Sequence, residues 1–151
     1  MIMVIRHILA PTDFSEYSKT AVAYAFELAE TFGAKLSLLH VIEMPPYPIE
    51  GYAPPTMAAT YLEDLERQAN EEIFRLLADA DAAQVQVARL VVMGTPYRKI
   101  IDTAAAEQVD LIVMATAGRT GLSRLVLGSV AERVVRTASC PVLTMRPKDE
   151  P

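Results

Sequence analysis

The sequence predicts an α/β protein: a single doubly wound, five-stranded parallel sheet with helices on both faces. Three observations predict it. Short apolar runs and amphipathic stretches alternate as strand, helix, strand, helix to the end of the chain. The 151 residues suit one domain, 1–151, and bury roughly two thirds of the surface the unfolded chain exposes. Apolar residues make up 52% against 22% charged, a globular balance, and no run approaches the roughly 18 uninterrupted apolar residues of a membrane span. Right-handed crossovers then leave a small set of topologies.

The first strand is read at residues 3–9. MIMVIRHILAP is apolar enough to suggest a signal peptide, but Arg6 and His7 interrupt it and no small-residue cleavage site follows, so a buried strand explains it better. Ala10-Pro11-Thr12-Asp13 turns the chain, with Asp13 or Ser15 available as a helix cap. The helix that follows puts Val22, Ala25, Ala29 and Phe32 on one face and stops at Gly33, a residue free to take positive φ. Residues 35–41 form a second buried strand. Five of the ten prolines fall in MPPYPIEGYAPPTM, so 43–60 is predicted to be a surface loop, neither helix nor central strand.

Residues 61–80 carry Leu62, Leu65, Ala69, Ile73 and Leu76 as one stripe of a long amphipathic helix. Residues 85–92 partly alternate, as expected of an edge strand. Thr95-Pro96 opens a third helix, to about Gln108, with threonine as cap and proline at the first position. Residues 109–114 are the most hydrophobic strand. Ser129 opens the last helix, to about Ala138, and 141–145 close the sheet.

In such sheets ligands bind beyond the carboxyl ends of the strands, where the strand order reverses. Residues 11–13 and 115–129 follow the first and fourth strands, and they are neighbours if those strands are adjacent. The second segment, in ATAGRTGLSRLVLGSV, supports two compatible readings. In one, Gly128 turns and Ser129 caps the last helix, paired with Glu132 three residues on, for about 1 kcal/mol. In the other, the same helix start and the glycines hold an anion, with Gly118 admitting backbone N–H groups and Arg119 or Arg124 swinging over a polyphosphate. Leu122, Leu125, Val126 and Leu127 pin the loop to the core.

Other chemistries lack their residues. No Gly-x-x-x-x-Gly-Lys-Ser/Thr is present, and no Gly-x-Gly-x-x-Gly follows the first strand. His7 and His40 fall inside strands and read as structural, so no nucleophile, base and orienting partner assemble, and nothing demands turnover. The one cysteine, Cys140, excludes an intrachain disulfide, reads as a small core residue and fits a reducing, cytoplasmic compartment. A net charge of −5 and a pI near 5.0 argue against nucleic acid and anionic membranes as partners.

The loop resembles the nucleotide signature of the universal stress protein family: Gly118, nine residues, then Gly128-Ser129, within GRTGLSRLVLGSVAERV. The likeness spans the chain, with HILAPTDFSEYS similar to the family's first strand and turn, LSLLHVIE to its second strand and CPVLTMRP to its last. The resemblance implies a fold like that of the adenine nucleotide alpha hydrolases and a bound ATP or AMP, with Mg2+ an option alongside ATP. It places adenine against Thr12, Asp13 and Val41, ribose and phosphates near Gly118, Gly128, Ser129 and Val130, and Pro11, Met114, Ala115 and Arg119 around them. It further implies a homodimer through the last strand, 142–146, an apolar edge that invites pairing.

One departure stands out. The family's first motif glycine falls on Ala115, which costs roughly 1–2 kcal/mol if that position takes positive φ and only space if it is extended. Ala117 also leaves the turn without a side-chain donor. The leading expectation is a stress-response binding module whose occupancy alters contacts with a protein partner. A nucleotide-free interaction protein using the Pro-rich loop, and a slow ATPase, are the alternatives.

Overall fold

The computed structural model describes residues 2–44, 55–80, 84–117 and 127–146. The chain runs β1 (His7–Pro11), α1 (Glu16–Phe32), β2 (Lys35–Ile42), α2 (Pro55–Asp79), β3 (Val87–Met93), α3 (Pro96–Ala106), β4 (Leu111–Ala115), α4 (Ser129–Thr137) and β5 (Val142–Met145). All strand pairs are parallel, in the order β3-β2-β1-β4-β5. Chain order therefore reverses between β1 and β4, as the sequence reading required for its two loops to meet. β3 is an edge, as its alternation predicts, and β5 is the other.

Side-chain alternation along the strands separates two cores. Ile8, Ala10, Leu36, Leu38 and Val113 point to one face and meet Val22, Ala25, Phe26 and Ala29 of α1 and Ile73 of α2. Leu9, Leu39, Ile112 and Met114 point to the other and meet Ile100 and Ala104 of α3 and Ala131 and Val134 of α4. β1 and β4 are buried along their whole length, which is why their sequences read as unbroken apolar runs.

Several boundaries differ from the sequence reading, each for a physical reason. β1 begins at His7, not residue 3: β2 and β4 start opposite His7 and Ile8, the ladder to β2 ends at the Arg6 carbonyl, and Ile2, Met3 and Val4 before it are 89, 63 and 54% exposed. Apolar character alone made them look like strand. α2 begins at Pro55, so residues 55–60 of the proposed loop are helical; proline in a first turn lacks only an N–H that has no helical partner anyway. The rest of that loop, 45–54, lies outside the described residues. Thr95 does precede α3 with Pro96 inside it, but the threonine hydroxyl makes no capping bond. α3 stops at Ala106 rather than near Gln108, which has left the helical region with φ 52°.

α1 shows the predicted caps at both ends. Ser15 is the N-cap, its hydroxyl accepting from Ser18 N–H at 3.2 Å, while Asp13 Oδ1 accepts from Ser15 N–H at 3.0 Å. Gly33 sits at φ 63° and closes the helix with its N–H aimed at the Ala29 and Glu30 carbonyls. A Cβ there would meet nothing within 4 Å, so Gly33→Ala is expected to cost only the left-handed backbone penalty, about 1 kcal/mol, read as a small fall in the urea midpoint.

His7 is structural, as its position predicts. Its Nδ1 donates to the Glu107 carbonyl at 3.1 Å, so its Nε2 accepts from the Ser37 hydroxyl at 2.7 Å. Cys140 is half-buried against the second core, and burial pushes its thiol above the ordinary value. It is therefore expected to react with Ellman's reagent at pH 8 more slowly than free cysteine; an equal or faster rate would contradict that environment.

Candidate functional site

At the carboxyl ends of β1, β2 and β4 lies a cavity of about 1000 Å³. Pro11, Thr12, Asp13, Val41, Met114, Ala115, Gly128, Ser129 and Val130 all line it, so the structure gathers every predicted site residue that it describes. Gly118, Arg119 and Arg124 lie outside the described residues.

The β1–α1 turn is fastened from three sides. Thr12 N–H continues the ladder to the Leu39 carbonyl at 2.8 Å, its hydroxyl bonds the Ser18 hydroxyl at 3.0 Å and also accepts from Phe14 N–H at 3.0 Å. The Thr12 carbonyl accepts from His40 Nδ1 at 2.8 Å. Phe14 pairs a positive φ of 64° with a ring centroid 4.4 Å from that of His40. These bonds hold the Asp13 carboxylate, half-buried and itself engaged with Ser15, on the cavity wall.

The backbone of β2 supplies the next feature. Leu36 N–H donates to Gln86 and the Ile42 carbonyl accepts from Gly94, so the even residues of β2 bond toward β3 and the odd ones toward β1. Lys35 N–H donates to the Arg6 carbonyl, and the same register would bring Val41 N–H to the Thr12 carbonyl. That rung is not made. The Thr12 carbonyl accepts from His40 Nδ1 instead, and the N–H and C=O of Val41, a residue of the cavity wall, have no backbone partner among the described residues.

Across the cavity stands the start of α4. Here the capping expectation is corrected: the N-cap is Gly128, Ser129 is the first helical residue, and no side chain caps the helix. Gly128 takes the cap because its N–H must approach the Thr116 carbonyl, at 2.6 Å, and a Cβ would sit 2.7 Å from that oxygen. Its φ is −60°, so closeness rather than handedness demands glycine. Ser129 is left exposed at the helix start, its hydroxyl without a partner among the described residues, beside N–H groups that carry the positive end of the helix dipole.

Ala115 also resolves. It belongs to β4, in register with Met145, and so is extended rather than left-handed; its methyl takes only space. The departure from glycine costs no backbone strain.

Sequence reasoning missed one wall. Tyr61, Gln68, Glu72 and Arg75 of α2 line the cavity beside Leu65 and Ala69, which belong to the apolar stripe that was read as core. On this wall Arg75 is paired with Glu72 at 2.7 Å, and Glu71 with Arg67 behind it at 3.1 Å. Among the described residues no group of three His, Cys, Asp or Glu side chains could hold a metal, and no helix is long and apolar enough to cross a membrane.

The profile of the universal stress protein family matches residues 5–146. The universal stress protein MJ0531 of Methanocaldococcus jannaschii is 35% identical over 149 residues, covering 96% of this chain and 85% of that protein. Among solved structures, the universal stress protein UspA of Lactobacillus plantarum superposes with a TM-score of 0.76 at 26% identity, covering 94% of this chain and 98% of its own. A universal stress protein in complex with cAMP has the same fold, with a TM-score of 0.64 at 23% identity, covering 94% and 97%. The chain belongs to the universal stress protein family.

Proposed function

We propose that this protein binds an adenine nucleotide, ATP or AMP, in the cavity between β1, β2 and α4, and that occupancy alters its contacts with a protein partner in a stress response. The observation that carries the reading is the open N–H and C=O of Val41 beyond the end of β1. A backbone donor and acceptor left side by side on a half-buried residue of the cavity wall favour a flat ligand carrying the complementary pair, and adenine offers a ring-nitrogen acceptor beside an amino donor. Asp13 and Thr12 flank that end. At the other end, Gly128, Ser129 and Val130 present a helix start of the kind that binds phosphate. Gly118 and Arg119 belong to the reading by sequence. Magnesium, with ATP as ligand, would arrive on the triphosphate, since the described residues offer no cluster of their own for it.

Calorimetric titration of nucleotide-stripped protein with ATP and magnesium tests this. Micromolar binding is expected, weaker for GTP, whose base carries the opposite donor and acceptor pattern. Absence of heat from folded protein would reject the site and leave an interaction protein. Slow ATP hydrolysis, if any, would appear as phosphate release in the same samples.

The proposal includes a homodimer, supported by β5, a short edge strand whose outer side no described strand covers. Sedimentation at micromolar concentration is expected to give twice the chain mass; a monomer would exclude this pairing. A cytoplasmic location is supported by the single half-buried cysteine.

A further inference from the structure

We infer that His40 is a positioning residue that keeps the base end of the cavity open, by holding the Thr12 carbonyl away from the Val41 N–H. The inference rests on the nucleotide reading for its ligand, and on the backbone geometry alone for its mechanism. In a parallel ladder with the register of β1 and β2, the Thr12 carbonyl is the natural acceptor for Val41 N–H. Thr12 N–H does complete its own half of that rung, to Leu39, so the two strands are still within reach at this point. Only the second half is missing, and the carbonyl that would make it is occupied by His40 Nδ1 at 2.8 Å.

The imidazole thus replaces a backbone donor with a side-chain donor from the preceding residue of the same strand. That exchange satisfies Thr12 without consuming the N–H of Val41. Because a carbonyl cannot donate, Nδ1 must carry the proton in this contact. The ring is steadied by Phe14, whose centroid lies 4.4 Å away at 30° between planes, and Phe14 holds a left-handed φ of 64° that a residue without such contacts would have little reason to adopt. Histidine at this position was read from sequence as structural. The bond gives it a specific consequence: a ligand meets a free donor on Val41 rather than a completed sheet.

Two variants separate this from a merely structural role. His40→Phe keeps a ring against Phe14 and removes the donor; His40→Asn places an amide N–H near the position of Nδ1 and restores it. The first readout needs no ligand. Val41 amide exchange, followed by NMR in the free protein, is expected to be fast in the parent and in H40N, and at least about tenfold slower in H40F, where the Thr12 carbonyl closes on it. The second readout compares AMP with ribose 5-phosphate. H40F is expected to lose about five- to tenfold in affinity for AMP, the scale of one backbone hydrogen bond, with ribose 5-phosphate unchanged and H40N near the parent.

Unchanged Val41 exchange in H40F, or slow exchange already in the parent, would overturn the inference. Equal losses for both ligands would do so too, by making His40 a general support. A parent protein that binds neither ligand would reject the nucleotide reading while the exchange measurement still decided the role of His40. Should H40F not fold, H40L serves in its place under the same criteria.

Discussion

Gly128→Val is expected to abolish measurable ATP binding, a loss of at least about a hundredfold, while Gly128→Ala weakens it about tenfold or more. A β-carbon at this position would lie 2.7 Å from the Thr116 carbonyl oxygen, and that oxygen is backbone, fixed in turn by Thr116 N–H bonding to the Met145 carbonyl at 2.9 Å. Neither partner has a flexible end to swing aside. The start of α4 must therefore back away from the end of β4 by several tenths of an ångström, and the phosphate end of the proposed site is built from those two segments. The bond from Gly128 N–H to Thr116 weakens with the same movement. Stability should fall by about 1–3 kcal/mol, as for other overpacked sites, so the protein remains folded while the helix start is misplaced. Calorimetric titration and urea denaturation on the same preparations check both statements. Parent-like affinity in a folded G128V would show that the approach of α4 to β4 has no part in binding.

The order of elements was legible because the sheet's middle strands are buried on both faces. Residues 109–114 read as the most hydrophobic strand, and β4 is Leu111–Ala115, shifted toward the carboxyl end because Val109 and Asp110 still belong to the turn out of α3; such runs separated by amphipathic helices imply parallel crossovers. The sequence made the loops after the first and fourth strands neighbours if those strands were adjacent; β1 and β4 do pair, and residues 115–117 and 128–129 line the same cavity as residues 11–13. What the sequence left dark depends on atoms that composition does not register. MIMVIR is as apolar as a strand, yet whether it pairs depends on where its neighbours begin. Pro55 looks like a helix breaker until it is known to stand in a first turn. Ser129 has the spacing of a cap to Glu132, but the close contact between Gly128 and Thr116 moves the cap one residue back. For Ala115 the sequence could only state two alternatives, and the extended backbone of β4 selects the harmless one. His40 is the clearest case: nothing in LSLLHVIE says that its ring takes the place of a ladder bond.

Asp110→Ala is expected to destabilise the fold by about 2–4 kcal/mol, although Asp110 sits outside the cavity and reads in sequence only as the one polar residue of the strand at 109–114. Its Oδ2 accepts from the N–H of Arg6 at 2.8 Å and of His7 at 2.9 Å, while its own N–H donates to the His7 carbonyl at 2.9 Å. The carboxylate therefore ties the start of β4 to the start of β1. That tie matters because direct register between these strands is short, Ile8 with Leu111 and Leu9 with Ile112, and because this seam is where the strand order reverses. Removing the side chain leaves the His7 N–H, on a buried residue, without its acceptor and takes away two charge-assisted bonds at once. Asp110→Asn keeps an oxygen in place and loses only the charge, so it should cost about 1 kcal/mol. Urea denaturation of the three proteins separates these contributions, with an unchanged slope expected because the unfolded surface is the same. A D110A protein within about 0.5 kcal/mol of the parent would mean that the β1–β4 seam, and with it the base of the cavity, is held by the hydrophobic layers on its two faces alone.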